Sequence, residues 1–253
     1  MIGAIAGDVI GSVYEFRNVK TTVFPLFTEK STFTDDTVLT IAIADSIVNG
    51  KAYGDTLHCY GREYLRRGYG PAFYQWLLSD HPQPYGSYGN GSGMRVSPVG
   101  FAYHSLEKVI EEAEKSAVVT HNHPEGIKGA QAIAGAIFMA KSGALKDDIK
   151  SFISDRFAYD LSFSLDEIRA TYEFSASCQG SVPQAIVAFL ESSDYENCIR
   201  LAISIGGDSD TIACMAGGIA AAFYNFIPDA ILIETFKRLP GKFIQIIKQF
   251  SEA

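Results

Sequence analysis

Two short acidic clusters carry the residues best suited to chemistry. Asp208 and Asp210 stand one residue apart, followed by Thr211, between the pair Gly206-Gly207 and the small apolar run 212–222. Thr34-Asp35-Asp36-Thr37 lies in the same way just ahead of the apolar run 38–48, which Asn49-Gly50 closes as a helix C-terminus. Aspartates at i and i+2 on a loop can turn their oxygens toward one point, and a threonine adds a neutral oxygen. Such donors suit Mg²⁺, Mn²⁺ or Ca²⁺ rather than zinc. Taken alone, each cluster reads equally well as turn and capping material, with Asp208 or Ser209 as an N-cap. Brought together, the four carboxylates of Asp35, Asp36, Asp208 and Asp210 would crowd the mouths of two buried helices. Desolvating unpaired carboxylates costs several kcal/mol or more, so a site for about two divalent cations is the economical reading.

A second candidate lies between residues 81 and 100, where composition changes abruptly. Gly86, Gly89, Gly91 and Gly93 alternate with Ser87, Tyr88, Asn90 and Ser92, and Met94-Arg95 follows. Such a backbone can turn its N–H groups inward and cradle phosphate without charged side chains, and Arg95 could add a bidentate contact. The alternative is an ordinary flexible loop or a linker between two halves. Tyrosines and an arginine among the glycines favour a ligand surface, with Tyr88 the candidate to cover a base face. Downstream, Thr120-His121-Asn122-His123-Pro124 enters another small-residue helix. The H-x-H pair lacks further Cys or His support as a zinc half-site. Each histidine is either a cap or a donor to a ligand phosphate, with His121 the better candidate for the second role.

The elements that must position these residues read as helices throughout. Gly3, Gly7 and Gly11 recur every fourth residue within a helix spanning 2–14, making a smooth ridge that lets a second backbone approach. Three helical glycines weaken a helix by about 2–3 kcal/mol relative to alanine, so a close contact should compensate, and the Gly217-Gly218 helix is the natural partner. Glu15, just past the end of this helix, would then face the same cavity. Residues 17–33 read as a loop crossing the site. Further helices are expected from Asp55 through Arg66-Arg67, from Pro71, from Ser97-Pro98, over 106–118 with Ser105 as cap, and over 127–141. Beyond these, helices are expected over 147–157, 165–172, 182–190 with Ser181 as cap, 194–203, 228–239 and 242–250. No sustained alternation marks a strand. The expectation is an all-α fold of about eleven helices in a single domain, 1–253.

Composition bounds the partners. Of the 253 residues, 47% are hydrophobic, enough for a substantial core. A net charge of −8, with no basic run longer than Arg66-Arg67, argues against nucleic acid as the main partner and against an anionic membrane. No apolar stretch approaches the roughly 20 residues a membrane-spanning helix needs. Cys59, Cys178, Cys198 and Cys214 are scattered without a C-x-x-C pair and read as small core residues. The start of the chain lacks a basic leader, and the expected compartment is the cytoplasm. Oligomeric state is left open.

In order along the chain, Gly3-x-x-x-Gly7-Asp8, Tyr14-Glu15, Thr34-Asp35-Asp36-Thr37, Gly89-Asn90-Gly91-Ser92-Gly93-Met94-Arg95, Thr120-His121 and Gly206-Gly207-Asp208-Ser209-Asp210-Thr211 resemble the motifs of the ADP-ribosylglycohydrolase family. The resemblance spans residues 2 to about 222. It implies a compact all-α fold with a binuclear Mg²⁺ (or Mn²⁺) site that cleaves the glycosidic bond between ADP-ribose and an acceptor. Carried over, Thr34, Asp35 and Asp36 ligate one side of the metal pair and Asp208, Asp210 and Thr211 the other. Glu15 corresponds to a glutamate implicated in catalysis or gating, with Asp35 and Asp36 the other candidate catalytic acids. Gly89 to Met94 and His121 correspond to the part that holds the diphosphate and distal ribose. The implied partner is an ADP-ribosylated protein, modified on arginine or serine, or a small ADP-ribose conjugate. Two departures limit the transfer: the chain is shorter than several family members, and Gly93 stands where many relatives carry alanine. The rival readings are a non-catalytic ADP-ribose-binding or structural member, and a metal-dependent phosphohydrolase that cuts the diphosphate of an ADP-ribose-like nucleotide.

Overall fold

The computed structural model describes residues 1–252. Its centre is the contact between the helices Ile2–Gly11 and Ser209–Tyr224. A Cβ at Gly3 would stand 2.5 Å from the Gly217 carbonyl oxygen, and one at Gly7 only 2.1 Å from that of Ala213. At Gly11 it would stand 2.4 Å from the Asp210 Cα. The glycine ridge therefore lets one backbone lie directly on the other, and its last step lands on the second acidic cluster.

Around this pair, the helix Pro124–Lys141 packs against Leu106–Val118, Ser209–Tyr224, Ser97–Ala102 and Gly91–Met94. Asp35–Asn49 packs against Tyr53–Glu63, Ser97–Ala102 and Gly241–Glu252. The central helices are buried almost all round, which explains their Ala, Gly and Ile content and weak amphipathic pattern. A single hydrophobic core runs from Met1 to Ile247.

Among the described residues twelve helices have eight residues or more, close to the expected eleven, and three are shorter. The only β feature among them is an isolated bridge between Gly89 and Ser177. No helix is long and apolar enough to cross a membrane.

Side-chain caps mark several of the helix starts. Thr34, Ser105, His123 and Asp194 each accept a backbone N–H of the first turn that follows. The helix carrying Pro183 begins at Cys178, a turn earlier than Ser181 suggested, because Ser177 accepts from Gly180 N and Tyr88 O receives Cys178 N at 2.9 Å. The first helix stops at Gly11, before residue 14. The segment from Asp55 instead starts at Tyr53 and ends at Glu63.

Candidate active site

Both acidic clusters enter their helices at the same place. Thr34 is the N-cap of Asp35–Asn49, and Asp208 holds the N-cap position of Ser209–Tyr224. The chain turns into the second helix through Gly206 and Gly207, at φ of 70° and 71°, a region that disfavours side chains. Asn18 holds this turn in place: its Oδ1 accepts from Gly207 N at 2.8 Å, and its Nδ2 donates to the carbonyls of Gly207, Glu15 and Tyr14. The segment bearing Glu15 is thereby fastened to the loop bearing Asp208.

Two groups of carboxylates converge, with ligand atoms within 4.8 Å of one another: Asp8, Asp36 and Asp210, and Glu15, Asp208 and Asp210. Asp210 belongs to both. Asp8 is fully buried and accepts from Thr34 N at 3.0 Å, Thr34 Oγ1 at 2.7 Å, Thr37 N at 3.1 Å and Thr37 Oγ1. Asp36 Oδ2 receives Thr34 Oγ1 and Thr211 Oγ1, both at 3.3 Å, whereas the buried Asp36 Oδ1 has no partner.

Burial pushes the carboxyls of Asp35, Asp36 and Asp210 well above the usual range, and neighbouring carboxylates push them further. Glu15 is raised to about 7, by burial first and then by Asp208 and Asp8. An orphaned buried carboxylate oxygen in a cluster of hard oxygen donors fits one or more divalent cations, which would reverse these shifts.

The clusters open on a cavity of about 280 Å³. Glu15, Asp35, Asp36, Asp208, Asp210 and Thr211 form part of its wall. Gly89, Asn90, Gly91, Met94 and His121 form another part, and Arg95 also borders it. Asn90 joins the two, donating from Nδ2 to Asp208 Oδ2 at 2.7 Å and to Ser181 Oγ at 3.1 Å. The glycine loop is pinned to the Cys178–Glu191 helix by the Gly89–Ser177 bridge and by Asn90 N to Ala176 O at 2.8 Å.

Several sequence-derived residues sit differently. Asp35 is in neither carboxylate group and lines the cavity, while the Thr34 hydroxyl lies 2.7 Å from Asp8 Oδ1 and 3.3 Å from Asp36 Oδ2. Ser92 and Gly93 are buried behind the loop, Ser92 donating to Gly126 O at 2.7 Å and Gly93 facing Met215.

Tyr88 is not part of the cavity wall: its ring, 54% exposed, lies beside His123. Tyr85 and Phe174 are the aromatics that border the cavity instead, with Phe73. Arg95 is fully buried behind the cavity wall, donating from Nη2 to Ser116 O and Thr120 Oγ1, while its Nε and Nη1 have no partner among the described residues.

His123 caps its helix through Nδ1, which accepts Glu125 N, and His121 faces the loop. Sequence reasoning missed Asp8 as a cluster member, although a lone acid inside the glycine-ridge run was a signal. It also missed Tyr85, Phe174 and the wall formed by Gly68, Gly70 and Phe73.

A profile of the ADP-ribosylglycohydrolase family matches residues 1–249. The chain is 30% identical to human ADP-ribosylhydrolase ARH3 over an alignment of 308 positions, covering 89% of this chain and 84% of that protein. It is 25% identical to the ADP-ribosylarginine hydrolase Tri1 of Pseudomonas putida (strain GB-1), covering 89% of this chain and 69% of that one. A solved structure described as an ADP-ribosylglycohydrolase-related protein complex superposes with a TM-score of 0.71 over 99% of this chain and 92% of that chain, at 23% identity, and so supports the fold.

Proposed function

Because the chain belongs to the ADP-ribosylglycohydrolase family, we propose that it hydrolyses the glycosidic bond between ADP-ribose and an acceptor, using divalent cations held by the two carboxylate groups that share Asp210. That shared carboxylate, beside a glycine loop and over a cavity, is the observation that carries the reading. Two Mg²⁺ or Mn²⁺ ions would supply the positive charge that orders the vicinal hydroxyls of the distal ribose and acidifies a water.

The chain's own groups do the rest. Asp36, Asp208 and Asp210, with Asp8, present the oxygens, and Thr34 and Thr37 hold Asp8 in place. Thr211 adds its hydroxyl oxygen, and Thr34 stands next to the same oxygens. Asp35 borders the cavity.

Glu15, on the cavity wall beside Asp208 and Asp210, is placed to take a proton from water or return one to the leaving group, with Asp35 the other candidate and Asp36 next to it. Gly91 N is placed to donate to a diphosphate, since Gly89 N, Asn90 N and Met94 N donate to Ser87 Oγ, Ala176 O and Asn90 O, with Ser92 and Gly93 shaping the loop from behind. His121 faces this loop as a further donor.

The acceptor is an ADP-ribosylated protein side chain, arginine or serine, or a small ADP-ribose conjugate, and four unpaired cysteines agree with a cytoplasmic setting. The test is chromatographic identification of the product. Free ADP-ribose supports glycosidic cleavage. AMP would replace this reading with cleavage of the diphosphate.

A further inference from the structure

Behind the glycine loop lies a chain of three buried polar side chains. Arg95, fully buried, donates from Nη2 to Thr120 Oγ1 at 2.9 Å and to Ser116 O at 3.0 Å. Thr120, also fully buried, has its Oγ1 2.7 Å from His121 Nδ1. His121 itself borders the cavity, and its Nε2 faces the loop, 3.2 Å from where a Gly91 Cβ would lie and 3.6 Å from one at Gly89.

The proton positions follow from counting donors. Arginine has only donors, so Thr120 Oγ1 must accept from it. The hydroxyl then has its own proton to place, and among the described residues the acceptor within reach is His121 Nδ1. If Nδ1 carried the proton, two donors would meet on Oγ1 and the threonine hydrogen would be buried without a partner, an arrangement folded proteins avoid. His121 therefore keeps a bare Nδ1 toward Thr120 and its proton on Nε2, toward the cavity. Burial and the nearby Arg95 charge both oppose a second proton on the ring.

We infer that Arg95 and Thr120 form a relay that fixes the direction of His121, so that its Nε2–H always points from behind the glycine loop at an anionic oxygen of the ligand. This rests on the reading of the loop as a diphosphate site, and it gives Arg95 a positioning role through its Nη2. An unfixed ring would spend part of its time turning a lone pair toward the anion, which repels it. Thr120 supplies what backbone amides cannot, a choice between the two ring nitrogens.

The test uses the full chain, labelled with ¹⁵N-histidine, with Mg²⁺ present. Nitrogen–proton correlation spectra should show His121 with the proton on Nε2. Thr120→Val, which keeps the shape and removes the hydroxyl, should lose that single form and weaken ADP-ribose binding about tenfold. In turnover it should raise KM with little change in kcat, and Thr120→Ser should restore both spectrum and affinity.

A proton on Nδ1 in the unaltered protein overturns the inference, as does a Thr120→Val protein whose spectrum and affinity are unchanged. If Thr120→Val does not fold, the spectra of the unaltered chain and of Thr120→Ser still decide. Because the spectrum needs no turnover, failure to release ADP-ribose would count against the proposed function without touching the relay. Binding of ADP-ribose with no change in the His121 Nε2 signal would overturn the relay alone.

Discussion

Asn90 donates its side-chain amide to Asp208 at 2.7 Å, across a separation of 118 residues. This bond couples the glycine loop to the carboxylates. It occupies Asp208 Oδ2, on a carboxylate that is grouped with Glu15 and Asp210. Loss of a partner that orients a ligating carboxylate weakens metal affinity by about 10–100-fold. Asn90→Ala is expected to weaken Mg²⁺ or Mn²⁺ binding by that order in calorimetric titration of EDTA-stripped protein. Affinity equal to the unaltered chain would mean that Asp208 needs no such support.

The ridge contact predicts a stability effect with a built-in control. A Cβ at Gly7 would meet the Ala213 carbonyl at 2.1 Å and its carbon at 2.5 Å, and backbone on both sides leaves nothing to swing aside. Gly7→Ala should cost about 1–3 kcal/mol or more, read as a fall in Tm of about 3–10 °C. Gly70→Ala, where no atom lies within 4 Å, should change stability by less than about 0.5 kcal/mol. Equal Tm values for the two variants would contradict the close approach.

The pH dependence of the metal-free protein has a definite sign. Asp35, Asp36 and Asp210 are raised well above the usual carboxyl range by burial, and Glu15 is raised to about 7 from 4.5. A group raised on folding contributes stability that is present below its unfolded pKa and is lost as pH rises through the folded value. In EDTA, Tm should therefore fall between pH 5 and pH 8, with the Glu15 part of the loss spread from about 4.5 to about 7. Mg²⁺ or Mn²⁺ should remove most of the slope. A Tm in EDTA that rises with pH would contradict the burial of these acids together.

The two acidic clusters, the glycine ridge and the all-helical architecture were legible because each depends on local spacing. Aspartates at i and i+2 and glycines at i and i+4 constrain geometry within a few residues. What remained hidden depends on tertiary direction.

Tyr88 and Tyr85 are three residues apart in an irregular loop, which is held by contacts distant in sequence: Tyr85 N and Ser87 N donate to Thr120 O, and Cys178 N to Tyr88 O. Arg95 read as a phosphate ligand because a lone arginine after a glycine loop is normally accessible. Its burial against Ser116 and Thr120 is set by the neighbouring helix Leu106–Val118 and the turn after it. Asp8 was overshadowed by the glycines around it. Its partners, Thr34 and Thr37, come from a distant stretch of sequence.

The carboxylates that meet at Asp210 would hold the divalent cations on which hydrolysis of the ADP-ribose linkage depends. The most direct measurement is release of ADP-ribose from arginine-modified and serine-modified proteins, with Mg²⁺ or with EDTA, by the unaltered chain and by Asp210→Ala. Metal-dependent release from at least one substrate is expected of the unaltered chain, and neither release nor metal binding of Asp210→Ala. Release that persists in EDTA, or in Asp210→Ala, would contradict it.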